Sequence, residues 1–499
     1  MAPLLATGPL NLALVGCTLA IVYFVALSIY NVFLHPLRSF PGPFLWRMSH
    51  IPRSLTLVRG KLPIHMKNLH AKYGPVVRIS PNELAFSDPQ AWKDIYGHRS
   101  NGEPELAKYE LFYRVVDHIP RSIINAYRDE HAFLRRQMAH GFSERAMQAQ
   151  EPIIGSYVDL LIYRLQERCA DGVTALNMRE WLNYTTFDVI GDLGFGSSFK
   201  CLEDSDYHPW VKLVTTASRQ NALLTALSNV GLKLVKRAIL RLGNLAVKDN
   251  LALVRETLLK RIENGIERPD FVDGLIRKKK EGVLDLGQLV STSSTLIIAG
   301  SETTATLLTG VVYLLTTNPD KLNLLTKEVR SAFTNDEEIT LTSVGKLTYM
   351  LACLNEALRR YPPVPAGLPR QAPKGGCYIM GQYIPEGTVV AVWQHAINHD
   401  ERFWTKPYTY APERFMGGAE FKNDQTDAMQ PFSVGPRNCI GRNLAYAEMR
   451  LILAKIIYNF DMTIDDDSRD WLRNQPAYNL WDKPALNIHM KPVPAGKQR

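Results

Sequence analysis

The stretch PFSVGPRNCIGRNLAYAEMR, residues 431–450, places one cysteine in a stiff loop directly before a helix-like segment. Cysteine is usually a small buried hydrophobe, and an isolated one rarely carries a function. Cys439 is different because glycine, proline and arginine residues surround it. A tight glycine-rich loop can direct backbone N–H groups at a thiolate and so tune a bound metal. The stretch therefore predicts a chemical role for Cys439.

The composition describes a folded protein with a moderately basic surface. The 499 residues are 46% hydrophobic and 21% charged, which suits one large enzyme domain or several average ones. The formal net charge of +9 fits nucleic acid, an anionic membrane or an acidic protein partner. The densest basic run, at residues 278–280, is short and has no interleaved aromatic residues. We therefore expect no nucleic-acid partner.

The six cysteines do not predict a zinc site or a disulfide framework. No two of them stand at a CxxC spacing, so the common zinc patterns are absent. They are also sparse for the length of the chain, which fits a reducing compartment.

The N-terminal segment predicts a membrane anchor. The first 37 residues contain no Asp, Glu, Lys or Arg, and residues 10–34 are almost wholly apolar. This run, at about 1.5 Å per residue, exceeds a bilayer core of about 30 Å, and the charged start of a cleaved signal peptide is missing. The first positive charges come after it, at Arg38, Arg47, Arg53, Arg59 and Lys61. The positive-inside rule then predicts a single-pass anchor at 1–34 with the rest of the chain in the cytosol, and the endoplasmic reticulum is the default membrane.

After the anchor, the sequence predicts one large, mainly α domain with small β-sheets. Prolines at 36, 41 and 43 favour an extended connection, so we expect a linker at 35–60 and a catalytic domain at 61–499. Alternating apolar residues predict short strands within 76–88 and within 375–393.

A second long apolar run, at 289–315, predicts a buried helix and not another membrane span. It carries Glu302 near its middle, and a central acid costs about 2.5 to 3.5 kcal/mol in lipid. The Asn318-Pro319 pair is a helix-stop signal. A helix of this length would cross the whole domain.

Residues 432–441 match the pattern FxxGxRxCxG throughout and resemble the ligand loop of the cytochrome P450 family, the haem-thiolate monooxygenases. The resemblance implies that Cys439 is the metal ligand, bound to the iron of haem b, where a thiolate favours O–O cleavage. It also implies that Phe432 packs beside the ligand and that Arg437 pairs with a haem propionate.

The buried helix carries a second family pattern. Residues 299–304 read AGSETT and resemble [AG]Gx[DE]T[TS]. The resemblance implies that Ala299 and Gly300 leave room for O2 above the haem. It also implies that Glu302 and Thr303 are catalytic and deliver protons while O2 is cleaved.

Three further similarities concern charged residues. Glu356 and Arg359, at an ExxR spacing, resemble the family's Glu-Arg-Arg triad together with Arg414, which implies a locked core around the haem loop. Arg370 stands where the family often has another propionate-binding arginine. In this family an early helix usually carries the pattern WxxxR. The corresponding residues here read HxxxR, with His131 and Arg135 at its two ends. Arg135 keeps the charge, and His131 can still donate a hydrogen bond.

The resemblance covers essentially the whole chain and is greatest to fungal members that modify secondary metabolites. It implies a membrane-anchored monooxygenase that hydroxylates or epoxidises a lipophilic small molecule with O2. It further implies electrons from an NADPH–cytochrome P450 reductase, with cytochrome b5 as a further donor. One alternative is a haem-thiolate enzyme that catalyses isomerisation, dehydration or ring coupling without net oxygenation; the Glu302–Thr303 pair disfavours it. An inactive haem-binding scaffold is the other alternative.

Overall fold

The computed structural model describes residues 9–99, 103–206, 209–243, 246–263, 265, 268 and 270–494. Within these residues the chain is mainly helical with three small sheets, as the sequence predicts. The helices are α1 (Pro9–Ile29), α2 (Phe44–Met48), α3 (Ile51–Val58), α4 (Leu62–Tyr73), α5 (Pro89–Tyr96), α6 (Glu110–Tyr113), α7 (Arg128–Met138), α8 (Glu144–Arg168), α9 (Met178–Phe195), α10 (Cys201–Asp204), α11 (Pro209–Asn229), α12 (Lys233–Leu242), α13 (Ala246–Glu263), α14 (Asp273–Lys280), α15 (Leu286–Thr316), α16 (Pro319–Ala332), α17 (Thr348–Arg360), α18 (Gln394–Ile397) and α19 (Arg442–Asn459). The strands are β1 (Val76–Ser80), β2 (Glu83–Phe86), β3 (Ala107–Lys108), β4 (Ala175–Asn177), β5 (Arg370–Gln371), β6 (Cys377–Ile379), β7 (Gln382–Ile384), β8 (Val389–Val392), β9 (Phe460–Ile464) and β10 (Asn487–Pro492).

Helix α15 is the central element of the largest apolar core, which it forms together with α7 to α9, α13, α14, α16, α17 and α19. Its 31 residues correspond to about 46 Å at 1.5 Å per residue. The Asp285 carboxylate caps its first turn by accepting from the Gln288 N–H at 2.9 Å, and Pro319 begins the next helix. The prediction of a buried helix that stops at Asn318-Pro319 is therefore confirmed.

Several buried hydroxyl groups of α15 are compatible with burial because they bond to the helix itself. The hydroxyls of Ser301, Thr309 and Thr316 donate to carbonyls four residues earlier, at 2.6–2.8 Å. A buried hydroxyl without such a partner would destabilise the fold. The helix can thus be rich in serine and threonine and still cross an apolar core.

Most buried apolar residues of β1, β2 and β8 belong to two apolar clusters separate from the helical core. The five-stranded sheet has the order β1-β2-β8-β5-β3, with β2 and β8 parallel and the other pairs antiparallel. Strands β4, β10 and β9 form an antiparallel sheet, and β6 pairs with β7. The strands predicted within 76–88 and 375–393 correspond to β1, β2 and β6 to β8.

The N-terminal helix α1 stands outside the core. Residues 11–34 are long and apolar enough to span a bilayer. Only 6% of the most apolar 18-residue stretch among them is buried, whereas 67% of the corresponding stretch of α15 is buried. A π-helical turn, Tyr30–Leu34, follows α1, and there the Asn31 amide donates to the Met48 carbonyl at 3.0 Å. An apolar helix with so little contact to the protein is compatible with a membrane anchor.

Residues 35–60 contain more regular structure than an extended linker. They include α2 and α3, Leu37 is fully buried, and Arg53 forms a buried ion pair with Glu83. Helix α3 also packs against α11. The segment is therefore attached to the body of the domain, while the proposed boundaries at 34 and 60 stay predictions.

Candidate active site

The Cys439 loop is held in one conformation by its backbone. The Cys439 N–H donates to the Phe432 carbonyl at 2.8 Å, which closes the loop before α19 begins. Gly435 has φ +76°, a region that L side chains rarely adopt, and a Cβ there would overlap the Tyr96 carbonyl oxygen. Glycine is thus required at this position, and Cys439 remains exposed at the end of the loop.

Polar groups surround the Cys439 sulfur. The surrounding protein raises the pKa of the Cys439 thiol by desolvation, and the Gly441 N–H and the charges of Arg135 and Arg442 act in the opposite direction. Backbone and cationic donors of this kind favour a thiolate when a metal binds it. Phe432 lies at the base of the loop, with its ring 5.3 Å from that of Tyr446 on α19.

Arg437 and Arg135 both stand beside the loop, and both have protein partners. Arg437 donates to the Glu105 carboxylate at 2.7 and 2.9 Å and to the Ala126 carbonyl at 2.8 Å. Burial raises the pKa of Glu105, but the hydrogen bond and charge of Arg437, together with the charges of Arg370 and Arg128, hold it below its usual value. Arg135 donates to the carbonyl and side-chain oxygens of Asn438, at 2.6 and 2.5 Å, and so ties α7 to the residue before Cys439.

Arg370 has an open donor. Its guanidinium is buried, lies over the ring of Tyr96 and donates from Nη1 to the Leu106 carbonyl at 2.8 Å. Within the part of the chain that the structure describes, its buried Nε has no hydrogen-bond partner. An unpaired buried donor on a cation is costly, so this position suits an anionic group of a ligand.

His131 is buried on α7 near the same cations. Burial, and then the charges of Arg437, Lys108 and Arg135, lower the pKa of His131 to about 4. The imidazole is therefore neutral near pH 7 and can donate one hydrogen bond without adding a charge.

An open cavity of about 500 Å³ adjoins these groups. Its lining includes Glu105, Arg128, His131, Arg135, Arg136 and Pro436. The lining contains four arginines, including Arg99, and one acid, Glu105, which is itself paired with Arg437, so the lining is cationic. Cys439 and Arg370 do not line this cavity. The open donor of Arg370, the arginines beside the loop and the exposed cysteine fit a large dianionic group such as haem b.

The middle turn of α15 is open although most of the helix is buried. Ala299 is exposed and Thr303 is partly exposed, and the Thr303 hydroxyl donates to the Ala299 carbonyl at 2.6 Å. The two small residues differ in their surroundings. A Cβ at Gly300 would lie 2.7 Å from Cδ1 of Ile190, so this glycine permits close packing of α15 on α9. The structure therefore gives Gly300 a packing role on α9, and the expectation that Ala299 and Gly300 leave room for O2 stays a prediction.

Glu302 is next to Thr303 in sequence, but its carboxylate is bound elsewhere. It forms an ion pair with the buried Lys483, whose ammonium also donates to the Thr306 hydroxyl at 2.6 Å. Sequence reasoning did not identify Lys483, because it lies in no motif and is 181 positions from its partner.

The predicted triad is brought together in the structure. Arg359 donates to both carboxylate oxygens of Glu356, at 2.8 and 2.7 Å, and Arg414 donates to the same group at 3.2 Å. All three side chains are completely buried.

The cytochrome P450 family model matches residues 38–488. A cytochrome P450 monooxygenase of Talaromyces stipitatus, tpeC, is 51% identical to this chain, covering 95% of it and 94% of the relative. The trichothecene C-15 hydroxylase of Fusarium sporotrichioides is 44% identical, with coverage of 96% and 98%. The averantin hydroxylase of Dothistroma septosporum is 42% identical, with coverage of 93% and 88%. The chain belongs to the cytochrome P450 family.

Membership of this family defines the class of reaction. The protein is a haem-thiolate monooxygenase that binds haem b, uses O2, receives electrons from a redox partner and oxidises a lipophilic small molecule. The cysteine loop, the cationic lining and the open turn of α15 are the parts of the structure that correspond to these requirements.

We predict that Gly435→Ala weakens haem binding. A left-handed φ costs an L residue about 1–2 kcal/mol, and the new Cβ would displace the loop from Tyr96. The haem-to-protein ratio after purification and the thermal unfolding midpoint should both fall. Gly345→Ala is the matched control, since a Cβ there meets nothing within 4 Å and its φ is not positive. Equal haem content in the two variants would contradict the prediction.

Proposed function

We propose that this enzyme hydroxylates or epoxidises a lipophilic polyketide, terpenoid or alkaloid in fungal secondary metabolism. The observation that carries the proposal is the exposed Cys439 at the end of a loop whose backbone permits one conformation. Two relatives at more than 40% identity carry the word hydroxylase in their names, which supports hydroxylation.

The surroundings of the open turn support a lipophilic substrate. We place the substrate-contacting residues within 112–124, 298–304, 364–368 and 478–481, which are mostly apolar. Phe112, Ile298 and Leu368 are partly exposed, as contact residues must be. Trp481 is buried, and its ring stacks on that of Tyr361 with 5.1 Å between the ring centres. In this proposal it stabilises the residues that line the pocket.

The residues around the cysteine would hold the cofactor. In this proposal Cys439 would bind the haem iron through its thiolate and Phe432 would pack beside it. Arg437, Arg135 and Arg370 would bind the propionates, and neutral His131 would add a hydrogen bond. When bound, haem supplies the activation of O2: one oxygen atom enters the substrate, and the other leaves as water after taking up two protons and two electrons from the redox partner.

The proposed catalytic pair supplies those protons. The hydroxyl of Thr303 lies at the open turn, where it can hold a water molecule, and the carboxylate of Glu302 can pass a proton from the interior side of α15. Product formation without net oxygenation needs no such delivery, so the presence of both groups favours oxygenation over isomerisation, dehydration or ring coupling. The complete set of charged groups around Cys439 disfavours a scaffold.

We propose the endoplasmic reticulum membrane as the location, with the catalytic domain in the cytosol. Arg38 and Arg47 follow the apolar run and support this orientation. Exposed apolar residues on α2 and α12, among them Phe44, Leu234 and Leu242, support contact between the domain and the lipid surface. An NADPH–cytochrome P450 reductase, with cytochrome b5 as a second donor, is the redox partner in this setting.

The ligand assignment predicts that Cys439→Ala abolishes the red-shifted Soret band of the reduced, CO-bound protein, because only a thiolate ligand produces it. Cys377→Ala, at a partly exposed cysteine on β6, is the control and should keep the band. A Cys439→Ala protein that retained the band would show that another residue is the ligand.

Thr303→Ala should reduce product formed per NADPH and increase hydrogen peroxide, while haem content and substrate binding stay unchanged. General acid–base positioning contributes about 10²–10⁴ in rate, and we expect the low end because water can replace a hydroxyl. Thr309→Ala is the control: its hydroxyl makes the same bond to the helix, to Ala305, but is fully buried. The measurement is NADPH, peroxide and product in parallel. Unchanged coupling in Thr303→Ala, or product formed without O2, would refute the assigned mechanism.

Deletion of residues 2–29 should release the protein from membranes at high salt with haem still bound. The deletion removes α1 but keeps the Asn31–Met48 contact. The measurement is the distribution of haem absorbance between pellet and supernatant after a high-salt wash. Haem in the pellet would mean that the apolar surface of α2 and α12 anchors the protein by itself.

A further inference from the structure

The catalytic carboxylate is held by a residue from the far end of the chain. Lys483 pairs with Oε1 of Glu302 and donates to the Thr306 hydroxyl at 2.6 Å. Thr306 lies four residues after Glu302, so both stand on the same face of α15. One ammonium group therefore binds two successive turns of the helix beside the open turn.

The burial of Lys483 is unusual for a lysine. Its side chain is 2% exposed, whereas that of Glu302 is 11% exposed. Lysine is almost never fully buried unless it is paired, because desolvating an unpaired ammonium is costly. Lys483 is thus the more deeply buried partner of the pair, and Glu302 keeps slight exposure.

The segment that carries Lys483 is fixed on both sides. The carbonyl of Lys483 accepts from Arg179 at 2.8 Å, and the Leu486 N–H donates to the Asn177 side chain at 3.1 Å. The Trp481 indole donates to the Pro362 carbonyl at 2.8 Å. With its backbone held in this way, Lys483 presents its ammonium to α15 at a set position, unlike a mobile surface lysine.

We propose that Lys483 is a positioning residue for the oxidation: it fixes the Glu302 carboxylate on the turn of α15 that also carries Thr303, and so controls proton delivery through this turn. The proposal rests on the proposed role of Glu302 and Thr303. Without the ammonium the carboxylate has no fixed place, and a displacement of about 1 Å at a reacting group can cost roughly 10² in rate.

The experiment compares Lys483→Met, Glu302→Gln and the double variant in the full-length holoenzyme. Product formation in Lys483→Met should fall about 10-fold, less than the roughly 10² expected for Glu302→Gln, because the carboxylate remains. The solvent isotope effect on product formation should change in the same direction in both. The double variant should be no slower than Glu302→Gln alone, since Lys483 acts only through that carboxylate.

Two controls separate positioning from folding. The double variant leaves no unpaired buried charge, so it tests function even if Lys483→Met folds poorly. Lys455→Met removes another buried lysine, one on α19 that is paired with Asp159 and Asp336, and should leave coupling and the isotope effect unchanged. Haem content and the CO spectrum are recorded for every variant.

The outcomes distinguish the two proposals. Additive losses in the double variant, or a normal isotope effect in Lys483→Met, would overturn the role of Lys483 and leave that of Glu302 intact. Unchanged coupling and isotope effect in Glu302→Gln would instead overturn the proposed proton delivery itself.

Discussion

The fully buried ion network of Glu356, Arg359 and Arg414 is the interaction on which the cysteine loop depends. Arg359 also donates to the carbonyls of Asn398 and Pro407, at 2.7 and 2.8 Å. The network therefore binds α17 to a long irregular segment that leads towards the loop. Removing one partner from such a network leaves an unpaired buried charge and costs about 3–5 kcal/mol. The network thus fixes a segment of backbone that is not held by the hydrogen bonds of a β-sheet or an α-helix.

The charges near Cys439 are distributed so that a dianion can be received. Glu105 neutralises Arg437, and Asn438 occupies the guanidinium of Arg135, so neither is an isolated buried charge. Arg370 keeps one donor unpaired within the described residues, and His131 is neutral. The site thus contains cations that already have protein partners, which keeps the protein stable. It also contains unpaired hydrogen-bond donors that can bind the carboxylates of a ligand.

Local patterns predicted much of this molecule correctly. The AGSETT helix and the Glu356–Arg359 pair each follow from residues close in sequence, where helix geometry sets the neighbours. The packing of Gly300 against Ile190 was not predicted, since helical periodicity alone does not show which residue faces it. Lys483 was missed for a related reason: a buried ion pair between distant segments leaves no trace in the spacing of residues.

The sequence by itself determined the fold class, the family, the apolar N-terminal helix and the identity of the cysteine loop, because periodicity, composition and contiguous motifs encode them. Tertiary structure decided which charges meet. It placed Lys483 on Glu302, Glu105 on Arg437 and Asn438 on Arg135. Such pairs depend on how whole elements pack, and packing is a property of the complete core rather than of any short segment.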